Sequence, residues 1–129
     1  NERLLELVNE FSVEPDNYLK QFKIKFRGRE KFIRTENIFY IEAEGNYLML
    51  HHEEGRDLFR STMGALIKDL NPNRFLRVHR SYIINTVYIK NVNYLSNNEF
   101  KITLRNGIDI VSGRSFKDDI KAFISHAEL

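Results

Sequence analysis

The sequence predicts a mainly β, β-rich α+β domain: about eight short strands in small sheets, with two covering helices. Three observations predict it. Short runs alternate apolar and charged side chains or concentrate β-branched and aromatic ones. Turn residues separate these runs at Gly28, Gly45-Asn46, Gly55, Asn97-Asn98 and Asn106-Gly107. Beyond residue 20, helical spacing of apolar residues recurs in two segments, one mid-chain and one near the C-terminus.

In chain order, NERLLELVNEF sets Leu4, Leu5, Val8 and Phe11 on one helical face, with Glu2, Glu6 and Glu10 opposite, and Pro15 stops the helix. Residues 1–20 are then either a linker remnant from an upstream domain or an end that packs on the core. Residues 21–125 form the domain. QFKIKF alternates Phe22, Ile24 and Phe26 with Lys23 and Lys25. IFYIEA (38–43) and YLMLHH (47–52) flank Gly45-Asn46 as a hairpin, and Gly55 turns the chain into RDLFR. A helix follows, with Met63, Leu66, Ile67 and Leu70 on one face and Ser61 or Thr62 as cap. FLRVHRSYIINTVYIKNVNYL, EFKITL and IDIVSG supply the remaining strands, and Asn106-Gly107 is the strongest hairpin signal in the chain. The last helix starts at Ser115 as cap, with Asp118 completing a capping box, and carries a stripe of Phe116, Ile120, Phe123 and Ile124.

The bulk numbers narrow the function classes. A chain of 129 residues suits one domain, and 42% hydrophobic with 29% charged residues suits a folded one. No apolar run is long enough to span a bilayer. The absence of cysteine removes disulfides, thiolate metal sites and cysteine nucleophiles, and allows a reducing cytoplasm. The net charge of +2 is small, but it is unevenly spread: residues 70–98 hold Arg74, Arg77, Arg80 and Lys90 with no acid. Such a stripe suits either a phosphate backbone or a solvated face.

Catalysis finds little support. His51 and His52 are strand neighbours on opposite faces and cannot grip one metal together. Glu42 and Glu44 share a face, but no partner completes an acid–base mechanism. No Walker loop, G-x-G-x-x-G, G-x-S-x-G or H-E-x-x-H is present. No enzyme activity, cofactor or metal is expected.

Nucleic-acid contact has better candidates. Asn46 sits at a hairpin tip beside Tyr47; asparagine can pair with adenine and tyrosine can reach a phosphate. On composition alone Asn46 is better explained by a turn in which asparagine tolerates positive φ. Arg74, Arg77 and Arg80 lie three apart, beside His79, with Phe75, Leu76, Val78 and Tyr82 as anchors. Arginine forks onto guanine or grips phosphate, unless it pairs with an acid on another strand. His79 can equally be a structural histidine. Arg114 and Lys117 flank the last helix N-terminus, where they could seat a phosphate or pair with Asp118 or Asp119.

The order I-F-Y-I-E-A-E-G-N-Y, a helix ending in Leu, R-F-L-R-V-H-R-S-Y-I-I-N, then I-x-x-V, resembles the LytTR family of DNA-binding output domains from about Phe22 to Ile124. The resemblance implies about ten short strands in several small sheets, with loops rather than a recognition helix entering successive major grooves of bent DNA. It places the first contact loop on Asn46 and Tyr47, the second on His79 and Arg80, and the third on Arg114 and Lys117. Arg80 then reads a base, Asn46 and Arg114 read bases or adjacent phosphates, and Tyr47, Arg77 and Lys117 hold the backbone. Ser81, Tyr82 and Asn85 hold the second loop. The implied partners are double-stranded DNA, read by two copies on direct repeats, and an upstream receiver domain with its histidine kinase in a cytoplasmic two-component system. A protein-interaction or sensory module that has lost DNA binding is the other reading: Glu42, Glu44, Glu53 and Glu54 would repel phosphate if they shared the face of the first loop.

Overall fold

The computed structural model describes residues 17–127. The helix expected over the first eleven residues lies outside the described residues. Ten strands and two helices follow in the order β1 (Gln21–Phe26), β2 (Arg29–Arg34), β3 (Ile38–Glu44), β4 (Tyr47–His52), β5 (Gly55–Arg60), α1 (Met63–Asp69), β6 (Phe75–His79), β7 (Tyr82–Asn85), β8 (Ile89–Ser96), β9 (Glu99–Leu104), β10 (Asp109–Val111) and α2 (Lys117–Ala127). They form a two-stranded sheet β1-β2, a five-stranded sheet β5-β4-β3-β7-β6 and a three-stranded sheet β10-β9-β8. Every strand pair is antiparallel. The β-rich class, the small sheets and the two covering helices agree with the sequence.

The five-stranded sheet sits between two cores. On one face Ile41, Leu48, Leu50 and Ile83 pack with Phe22, Ile24 and Ile33 of the β1-β2 hairpin and Met63, Leu66 and Leu70 of α1. On the other, Val78 and Ile84 pack with Ile102 and Leu104 of β9, Ile110 of β10 and Ile120 of α2. Successive strand side chains point to opposite faces, so neighbours Ile83 and Ile84 enter different cores. Both are fully buried, which at roughly 1.5–3 kcal/mol each anchors β7 in both cores.

The turns differ in part from the sequence reading. Asn97 and Asn98 both have positive φ, at 51° and 65°, and join Ser96 to Glu99 in a two-residue turn of the I′ kind. Asn106-Gly107 does not make such a turn. There Gly107 N donates to Leu104 O at 2.9 Å and Leu104 N to Ile108 O at 2.8 Å, which makes a three-residue loop. In it Gly107 (φ 91°) takes the left-handed position, while Asn106 Oδ1 accepts from Ile108 N. Thr62 caps α1 through Oγ1, accepting from Ala65 N at 3.1 Å. Ser115 does not cap the last helix: it lies inside a 3-10 turn, Arg114–Phe116, that starts at Gly113 without a side-chain cap and leads directly into α2. Lys117 N donates to Arg114 O, so the backbone occupies one of the amides that the serine was expected to cap.

Candidate nucleic-acid interface

Neighbouring strands bring the first two predicted loops to one end of the central sheet. The β3-β4 turn is Gly45-Asn46, between the paired residues Glu44 and Tyr47. The β6-β7 turn is Arg80-Ser81, between His79 and Tyr82. Ala43 N donates to Ser81 O at 2.9 Å and ties the two. The third segment joins the second: Gly113 N donates to Val78 O at 2.8 Å. A Cβ on Gly113 would stand 3.5 Å from the His79 ring and 3.4 Å from the Phe116 ring, in ordinary contact with both, so this segment packs directly against the second loop.

The second loop contains no glycine, asparagine or proline, and its conformation is held by side chains. Arg77 Nη2 donates to Arg80 O at 2.7 Å and Nε reaches His79 O at 3.4 Å. The same guanidinium lies over the Phe116 ring, 5.6 Å from its centroid. His79 Nδ1 accepts from Ser81 N at 3.0 Å, which leaves Nε2 to carry the proton of the neutral ring. The ring meets Tyr82 edge-on at 5.5 Å. Asn85 is 1% exposed and pins the far end of β7, donating from Nδ2 to Ile38 O and accepting at Oδ1 from Val87 N.

Among the described residues, Arg80, Arg114 and Lys117 make no ion pair and no side-chain hydrogen bond. Pairing of Lys117 or Arg114 with Asp118 or Asp119, one of the sequence alternatives, is therefore not adopted. Arg80 and Arg114 are exposed and Lys117 is half-buried. Arg77 is half-buried with part of its fork engaged inside the protein, so the structure gives it a loop-holding role that the sequence did not suggest.

In the first loop Gly45 carries the positive φ, 61°, and Asn46 does not. The turn therefore does not require asparagine at position 46, and its exposed amide is left for another use. Tyr47 is exposed, with the Arg60 guanidinium 5.8 Å from its ring centroid. Arg60 is a residue that sequence reasoning missed. It lies in the acid-rich first half of the chain, and only the β4-β5 register, which pairs Tyr47 with Arg60, brings it to this edge.

The acids are placed less unfavourably than the second reading required. Glu42 is engaged: His51 Nε2 lies 3.0 Å from Oε1 and Tyr82 Oη donates to Oε2 at 3.4 Å. His51 stacks on Tyr40 at 4.1 Å. Burial raises the Tyr40 and Tyr82 phenols above the ordinary value, and the Glu42 carboxylate raises them further. Glu53 and Glu54 lie beyond the other end of β4, whose length from Tyr47 to His52 is about 17 Å at 3.4 Å per residue. Glu44 alone of the four stays exposed beside the first loop. His51 and His52 diverge as strand alternation demands, His52 bonding Asp57 at 2.8 Å.

Comparison with known proteins gives the family and the fold. The family model described as the LytTr DNA-binding domain matches residues 28–125. The transcriptional regulatory protein LytR of Staphylococcus aureus is 31% identical over 118 residues, covering 92% of this chain and 47% of LytR. The CO-responsive transcriptional regulator RcoM of Rhodospirillum rubrum is 32% identical over 76 residues, 59% of this chain and 32% of RcoM. The chain thus spans less than half the length of these relatives. A LytTr DNA-binding domain from Bacillus cereus, described as that of a methyl-accepting/DNA response regulator, superposes with a TM-score of 0.75 at 19% identity, covering 82% of this chain and 97% of that one. That match shows the shared fold, and the family model, over most of the domain, shows the descent: the chain belongs to the LytTr DNA-binding domain family.

Proposed function

We propose that the chain reads specific double-stranded DNA sequences for a transcription regulator, through the turns at one end of its central sheet. The observation that carries this reading is the second loop: Arg77, His79 and Ser81 fix its backbone while the Arg80 guanidinium stays exposed and unpaired. A preorganised arginine of this kind suits the paired acceptors of guanine. Asn46 on one side and Arg114 on the other extend the reading edge to bases or adjacent phosphates. Tyr47 and Lys117 hold the backbone, and Arg77 contributes chiefly by holding the loop. Two copies bind neighbouring direct repeats, as a homodimer on DNA, in a cytoplasmic regulator whose receiver domain answers to a histidine kinase.

Selection of bound sequences from a random duplex pool tests the reading. A motif should emerge, and Arg80→Ala should bind it more weakly by about 1–3 kcal/mol, with selectivity relaxed at one position. Arg80→Ala protein that binds the selected duplex as tightly and as selectively as the parent would remove Arg80 from the reading edge.

A further inference from the structure

Arg60 is a cation at the reading edge that belongs to none of the three predicted loops. Arg60 ends β5 directly opposite Tyr47, the first residue after the Gly45-Asn46 turn. Strands lie about 4.8 Å apart, so Arg60 stands one strand outboard of the first loop and two strands, about 10 Å, from Glu44 on β3. Its guanidinium is exposed and makes no ion pair among the described residues. What it does touch is the Tyr47 ring, at 5.8 Å, a contact that orients both side chains along the edge.

We infer that Arg60 and Tyr47 form a paired phosphate clamp at the outer margin of the interface, with Arg60 supplying the charge. This rests on the DNA-binding reading above. The assignment to phosphate rather than base follows from position. A groove floor is reached from a projecting tip, and the tip here is Asn46; Arg60 is level with Tyr47, set back from the tip and displaced sideways. A cation there meets the sugar-phosphate wall beside the groove. Stacked on a tyrosine whose hydroxyl can donate to the same phosphate, it adds affinity without sequence information.

The test is a salt titration of the whole chain on a mixed-sequence duplex, comparing the parent with Arg60→Ala, Arg60→Lys and Arg80→Ala, after thermal melting has shown each to be folded. Neutralising one phosphate contributes about 0.9 to the slope of log affinity against log salt. Arg60→Ala should lower the slope by about that amount and leave the selected sequence motif unchanged, while Arg60→Lys keeps the slope. Weaker binding by Arg60→Ala at an unchanged slope overturns the clamp and leaves Arg60 as a prop for Tyr47. So does a changed sequence preference, which would make Arg60 a base reader. A parent that shows no salt-dependent duplex binding overturns the functional reading itself, and the clamp with it.

Discussion

At the end of the central sheet that carries Asn46 and Arg80, the turn backbone is bonded from behind while the side chains of Asn46 and Arg80 have no hydrogen-bond or ion-pair partner among the described residues. The opposite end is the reverse. There Asn85 is buried and uses both its amide groups, Tyr88 Oη donates to Glu53 at 3.1 Å, and His52, Asp57 and Lys31 form a closed chain of contacts at 2.8 and 2.9 Å. Both ends are built by the same strands, so the contrast is not one of fold. It separates polar groups that complete the protein from polar groups that the protein displays. The difference also sets what a substitution should do: loss of stability at the far end, loss of binding at the reading end.

The largest expected effect tests the far end. Asn85→Ala removes a donor from the Ile38 carbonyl and an acceptor from the Val87 amide. Each buried polar group left without a partner costs roughly 1–3 kcal/mol. A urea titration should therefore show a large fall in stability. A variant as stable as the parent would mean that the far end relaxes freely, and the contrast would lose its structural half.

Asn85 also shows what the sequence could and could not disclose. Its place in the segment ending Y-I-I-N tied it to loop support by resemblance, but its two backbone partners lie at positions 38 and 87, and no local pattern names them. Strand identity was legible wherever apolar residues alternate, as in β1, or cluster, as in β3 and β4. The β6-β7 turn was not legible from propensity, because Arg80-Ser81 lacks glycine, asparagine and proline and is held by Arg77 and His79 instead. Arg60 was hidden for a related reason. Its neighbours in sequence are unremarkable, and its neighbour in space depends on strand register. Asn106-Gly107 misled in the other direction, since the dipeptide specifies a hairpin but the loop length depends on how β9 and β10 pair.

The second effect tests whether the reading end works as a unit. Arg77 bonds the carbonyl of Arg80, so Arg77→Ala should weaken binding to a selected duplex although part of its fork already faces inward. In a double-mutant cycle with Arg80→Ala the two losses should not add, with a coupling of about 0.5–3 kcal/mol for residues in direct contact. Additive losses would mean that Arg77 meets the phosphate backbone independently, the role first expected of it.

A smaller effect lies in the acid limb of stability. Burial would raise the Asp57 carboxyl, but hydrogen bonds from Lys31 and His52 prevail and hold it below the ordinary 3.8. The fold thus favours the carboxylate, and the stability it confers is complete above 3.8 and is lost as pH falls through the lower folded value. Asp57→Asn should flatten the decline of stability below that pH, read by denaturant titrations at several acid pH values. An unchanged acid limb would show that the Lys31 and His52 contacts are too exposed to matter.

The smallest effect is the one that separates the two ends most cleanly in binding. Glu54 is exposed beyond the far end of β4, while Lys117 lies at the start of α2, directly after Phe116, whose ring lies under Arg77 of the second loop. Lys117→Ala should lower the salt slope of duplex binding by about 1 and weaken all sequences alike. Glu54→Lys, a change of two charges, should shift stability by no more than about 0.5 kcal/mol. It should also leave the salt slope unchanged, because about 17 Å of strand exceeds the screening length of roughly 8 Å at physiological ionic strength. If Glu54→Lys steepened the slope as much as Lys117→Ala reduced it, the duplex would have to pass both ends of the sheet. The reading edge would then be a face rather than an end.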